Sequence, residues 1–225
     1  MWLFNSSVGR KFVMSITGTC LALFLLFHAS MNLVAIISEE GYNMICEFLG
    51  ANWYALVGTV GLAFLAVLHI VYAFILSIIN YRARGKERYA VSSKSEGVEW
   101  SSMNMLVLGL IILGGLVLHL INFWAKMQLT EITGAEPFNG ISPSDGVALI
   151  KYTFSKWYFV LPYVIWLGAL WFHLTHGIWS AMQTFGWSNN IWLPRIKCIS
   201  NIISTLIVLM FASVLVYYYV ASLCM

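Results

Sequence analysis

A chain of 225 residues is long enough for one or two globular domains, but 60% of it is hydrophobic and only 9% charged, against roughly a quarter charged in ordinary globular proteins, which excludes a soluble globular domain. Twelve Lys and Arg against nine Asp and Glu leave a formal charge of +3, too small and too scattered for a nucleic-acid surface. Cys20, Cys46, Cys198 and Cys224 form neither C-x-x-C nor C-x-x-C-H, so no zinc, iron-sulfur or covalently attached haem framework is signalled, and nothing indicates disulfides.

Crossing about 30 Å of hydrocarbon at about 1.5 Å per residue takes about 20 mainly apolar residues. Five runs without Asp, Glu, Lys or Arg meet that need, at about 12–37, 53–80, 103–125, 157–183 and 198–221. The first is longer than the apolar region of a signal peptide and lacks a small-residue cleavage site before Glu39 and Glu40, so it reads as a retained span. After the second comes a basic, polar connection from Arg82 to Lys94, suited to lipid headgroups or a partner subunit. The connection after the third contains Ser142-Pro143-Ser144-Asp145 ahead of GVALIKYTF, which predicts an N-cap with Pro at the first helical position and a short interfacial helix. The whole chain, 1–225, is thus expected to be one all-α integral membrane domain, a transmembrane bundle of five helices.

Charge asymmetry predicts orientation, because positive flanks stay on the cytoplasmic side. Arg10, Lys11, Arg82, Arg84, Lys86, Arg88, Lys94, Arg195 and Lys197 fall on one side, and only Lys126, Lys151 and Lys156 on the other, together with six of the nine acids. The expectation is a multi-pass protein of the cytoplasmic (inner) membrane with its N-terminus cytoplasmic and its C-terminus external.

All five histidines fall inside the spans: His28, His69, His119, His173 and His176. A strongly polar group in hydrocarbon costs about 2.5 kcal/mol or more if isolated, so such residues face the bundle interior and mark function. A single one can simply bond a neighbouring helix. Four of them, however, lie about 16 residues into successive spans that alternate in direction. His28 and His119 should therefore share the external half, and His69 and His173 the cytoplasmic half, the two layers lying roughly 15 to 20 Å apart. Two imidazoles from facing helices are the ligand set of a six-coordinate haem iron, so two b-type haems fit a core made of the first four helices. Gly18 and Gly109, each ten residues before the histidine of its own helix, lie at the level of the His69/His173 layer, where they either leave room for a macrocycle or let helices approach. No carboxylate lies in any run, which removes a di-iron carboxylate cluster. A quinol-oxidising cytochrome of the complex III type carries two histidines per helix about fourteen residues apart, a spacing that does not occur here.

Ser6 to Lys11 (SSVGRK), Met14 to Gly18 (MSITG), Phe24 to Asn32 (FLLFHASMN) and Phe172 to Ser180 (FHLTHGIWS), taken with the histidine spacing, resemble the di-haem cytochrome b membrane anchor of succinate dehydrogenase and fumarate reductase, in its single-chain five-helix form. The resemblance covers nearly the whole chain. It implies an electron-transfer subunit of a multi-subunit quinol:fumarate (succinate:quinone) oxidoreductase, with no dicarboxylate site of its own. A flavoprotein and an iron-sulfur subunit would dock on the cytoplasmic face, and menaquinone would be the quinone. His69 and His173 would then ligate the proximal haem, His28 and His119 the distal one. His176, three residues after His173, would either bond a haem propionate or bond a neighbouring helix. In di-haem relatives a carboxylate near the distal haem accepts a proton from quinol. Glu47 is the candidate here, against the alternative of a solvated loop carboxylate. Some relatives carry a second intramembrane Glu two residues before the fourth ligand, where this chain has Trp171. Arg10, Lys11 and Arg82 could face propionates, although the positive-inside rule already accounts for them. Competing expectations are a di-haem subunit of a hydrogenase or nitrate reductase, and a transporter using the histidines as a proton relay.

Overall fold

The computed structural model describes residues 6–83 and 99–224. Arg84, Lys86, Arg88 and Lys94 of the basic connection lie outside the described residues. The chain is an all-α, multi-pass membrane protein with five helices long and apolar enough to span. The described elements are α1 (Ser7–Ile37), α2 (Glu39–Phe48), α3 (Trp53–Ala83), α4 (Trp100–Met103), α5 (Met105–Thr133), α6 (Gly146–Phe154), α7 (Trp157–Thr184) and α8 (Trp192–Leu223). Below, the near end is where α1 begins and the far end is where it finishes.

Several ends differ from those the hydropathy predicts, each for a local reason. α1 starts at Ser7 because the Ser6 hydroxyl accepts from the Gly9 amide at 2.9 Å, so its first turn carries Arg10 and Lys11 outside the apolar run. α8 starts at Trp192, and Pro194 sits in its first turn, where a missing N–H costs nothing. α5 runs on to Thr133, where Gly134 at φ 63° closes it in the left-handed conformation. Pro143 is not the first helical residue of α6; it lies in a turn closed by the Asp145 amide on the Ser142 carbonyl. Asp145 is the cap, its carboxylate accepting from the Ala148 amide at 3.0 Å.

α2, between the first two predicted spans, is a second far-end helix capped by Ser38. It is clamped to α6 by Asn43, which donates to the Asp145 carboxylate at 2.9 Å and accepts from the Val147 amide at 3.1 Å. A Cβ on Gly146 would strike Cys46 and Tyr42, so glycine is what allows α2 and α6 to meet.

Four spans form a ring in the order α1, α3, α5, α7, in which α3 packs along α1 and only lightly against α5, and α7 packs against both α5 and α1. α1 and α5 lie across one diagonal, α3 and α7 across the other. α8 lies outside the ring against α7 and α1, the most extensive packing in the molecule. Small residues fill that seam: Ser200, Ser204 and Ala29 are fully buried, as close helix approach in lipid requires. Cross-helix hydrogen bonds fasten it, from Trp171 to Thr205 at 3.0 Å, Ser200 to the Thr175 carbonyl at 2.8 Å and Tyr218 to the Ala35 carbonyl at 2.7 Å.

Truncating Asn43 to alanine removes both hydrogen bonds of the α2–α6 clamp and should cost about 1–2 kcal/mol of stability. Thermal unfolding in detergent checks this, and an unchanged midpoint would show that the clamp does not hold the far end.

Candidate functional site

The histidines meet across the diagonals of the ring. His28 of α1 faces His119 of α5, ring centroids 5.9 Å apart and planes at 81°. His69 of α3 faces His173 of α7 at 6.3 Å and 70°. Each of the four is half-buried. Depth follows from α1: Thr17 and Gly18 touch the His69 ring, and His28 stands eleven residues beyond Thr17, so the layers are separated by about 16 Å along the helix. His69/His173 is the near layer and His28/His119 the far one.

What could such a pair hold? A metal–imidazole bond of about 2.0 Å, with about 1.1 Å more from nitrogen to ring centre, puts two rings bound to opposite faces of one metal about 6 Å apart. An edge-to-face ring pair covers the same range, so distance alone does not choose. The hydrogen bonds add chemistry. The Thr17 hydroxyl donates to the backbone carbonyls of Val13 and Met14, each at 3.0 Å, and its oxygen lies 3.1 Å from His69 Nδ1. Thr17 thus meets the His69 ring at Nδ1 and orients it. A Cβ on Gly18 would come within 3.2 Å of that ring, so glycine there leaves the imidazole its place. His173 buries its Nδ1 without a partner among the described residues.

Among the described residues no group of three or more His, Cys, Asp or Glu side chains could hold a metal ion. Each pair brings two imidazole rings together and no third side chain of these types.

The far pair is lined by aromatic rings. Phe24 stacks on His28 at 5.4 Å, Phe211 of α8 lies 5.7 Å from it, and Phe123, Trp166 and Tyr163 surround His119. Trp166 reaches the ring by lying against Gly115, where a Cβ would collide with the indole. His119 ends the α-helical part of α5, and Leu120 to Leu129 continue as a π-helix, a departure that often marks function. Asn32 sits one turn beyond His28, donating to its backbone carbonyl at 2.8 Å and accepting from Tyr42 at 3.1 Å. Cys46 is held protonated, its thiol pushed up to about 11 by burial against the opposing hydrogen bond of Tyr42.

His176 belongs to a different cluster. Its Nδ1 lies 3.3 Å from the Glu99 carboxylate, which also accepts from Trp179 at 3.2 Å and from Lys197 at 2.7 Å. A cavity of about 260 Å3 adjoins it, walled by Trp100, Trp171 and Trp179. Glu99 escaped the sequence reading because it stands just before the third span and its partners are 77 to 98 residues away in the chain. Burial raises the Glu99 carboxyl, but Lys197, His176 and Trp179 together outweigh it and hold it below the ordinary carboxylate range. Glu47 is exposed on α2 at the far end and has no side-chain partner among the described residues.

No family model, curated protein or solved structure matches this chain.

Because the folded carboxyl of Glu99 is depressed, its stabilising contribution is present above the unfolded value, about 4.3, and is lost as pH falls through the folded one. Glu99→Gln should therefore flatten the acid limb of stability against pH in detergent. An acid limb identical to that of the wild type would show that Glu99 does not carry it.

Proposed function

We propose that this chain is the membrane-anchor cytochrome b of a fumarate reductase or succinate dehydrogenase complex, with His69 and His173 holding one b haem and His28 and His119 the other. The observation that carries the reading is the pairing of four imidazoles across the two diagonals of one helix ring, in layers about 16 Å apart. When bound, the two haems supply one-electron carriers between the ends of the bundle. The chain's own residues would hold each haem through its histidine pair, exclude water with the aromatic lining of the far pair, and orient His69 through Thr17.

In this reading the near end is cytoplasmic, as the positive-inside rule argues for Arg10, Lys11, Arg82, Arg195 and Lys197. The flavoprotein and iron-sulfur subunits dock there, and the membrane is the inner one. A membrane quinone, menaquinone on the resemblance of the sequence, exchanges electrons at the far end. Glu47 is exposed to the far-side solvent, where it can pass protons between that end and water. His176 orders the near end through Glu99 and Lys197.

The experiment is a dithionite-reduced minus oxidised visible spectrum of the tagged chain purified with whatever accompanies it. A b-type spectrum with two haems per chain is expected, one lost in His28→Ala and the other in His173→Ala. Colourless protein from haem-replete cells would sink the reading. Thr17→Val should selectively weaken retention of the near haem, by about 10- to 100-fold in affinity, and equal loss of both haems would refute its role at His69.

A further inference from the structure

At the near end, where α7 finishes and α8 begins, the two helices leave a groove of about 510 Å3. Ile178 and Met182 of α7 form one wall, and Ile196, Ile199 and Ile203 of α8 the other. Trp187 and Trp192 stand at its mouth, 66% and 49% exposed. The Asn189 side-chain oxygen accepts from the Ile191 and Trp192 amides at 3.0 and 2.8 Å, which fixes the turn and sets the start of α8 beside the groove.

Depth separates the possible occupants. Ile199 and Ile203 lie seven and eleven residues beyond Trp192, about 10 and 16 Å of rise, and so inside the uncharged run that begins near residue 198. A hydrocarbon chain reaches that level, and a soluble subunit does not. Charge marks the mouth. The exposed Arg195 guanidinium lies 5.2 Å from the Trp192 ring and makes no salt bridge among the described residues. A cation without a carboxylate, set among boundary tryptophans above an apolar channel, is complementary to a molecule with an anionic head and a hydrocarbon tail. Guanidinium also matches phosphate geometry in particular.

We propose that the groove between α7 and α8 is a binding site for an anionic phospholipid, with the head-group phosphate on Arg195 and one acyl chain along Ile178, Ile196, Ile199 and Ile203. The site lies apart from both histidine pairs and does not depend on the haem reading. In the orientation proposed above it opens to the cytoplasmic leaflet, whose surface carries the negative potential.

The test is native mass spectrometry of the protein purified with whatever accompanies it, in detergent supplied with phosphatidylglycerol or with phosphatidylcholine of the same acyl chains. The wild type should retain one phosphatidylglycerol per chain, with a preference of about fivefold over phosphatidylcholine. Arg195→Gln should abolish that preference, and Lys156→Gln, which removes a charge at the far end, should leave it intact. Ile199→Trp should fill the groove and lower retention of both lipids. Arg195 and Ile199 are both exposed, so neither substitution disturbs a buried side chain. Equal retention of the two lipids by the wild type, or the same loss of preference in Lys156→Gln as in Arg195→Gln, would overturn the proposal. Loss of an accompanying subunit or of a second copy of the chain in Ile199→Trp, with lipid retention unchanged, would overturn it in favour of a protein partner.

Discussion

Hydrocarbon offers no hydrogen-bond partner, so polar side chains inside the spans turn toward the bundle rather than lipid, and this constraint organises the molecule. Four histidines face one another in two pairs across the ring, and Ser200, Trp171 and Tyr218 are satisfied along the α8 seam. Packing differs accordingly between the two halves of the bundle. Where α8 meets α7 and α1, small residues close the backbones together; across the diagonals imidazoles hold them apart.

Helix geometry then differentiates the two layers. At the near layer Thr17 and Gly18 of α1 lie against His69, one by a hydrogen bond and the other by the absence of a side chain. At the far layer α5 abandons regular α-helix directly after His119, and the resulting π-helical stretch buries Asn122 beside Tyr163. Two pairs of identical residues thus sit in unlike environments, the near pair beside a hydroxyl and the far pair inside an aromatic shell capped by α2 and α6.

The near end has its own order. Glu99 gathers Lys197, Trp179 and His176 at the membrane boundary, tying the start of the third span to the fourth and fifth. His176 is only one turn from His173, yet the two serve different neighbourhoods, one reaching the boundary and the other the interior.

Much of this was legible in the amino-acid order because the governing quantities are one-dimensional. Uncharged runs of about 20 residues specify spans, and a histidine about 16 residues into each of four alternating spans specifies two layers at two depths. Depth is a matter of counting, so the partners His28/His119 and His69/His173 follow from arithmetic. Rotation about each helix axis does not. Only the tertiary structure decided that Thr17 turns its oxygen to His69, that Gly115 receives Trp166, that His176 points to Glu99, and that α2 is a helix fastened by Asn43 rather than a loop. The π-helical stretch of α5 likewise has no hydropathy signature, since it rearranges backbone hydrogen bonds without altering composition. Span and depth are set by transfer of residues from water to hydrocarbon, a sum over local sequence. Partners within a layer are set by which helix faces pack together, and that depends on the whole chain at once.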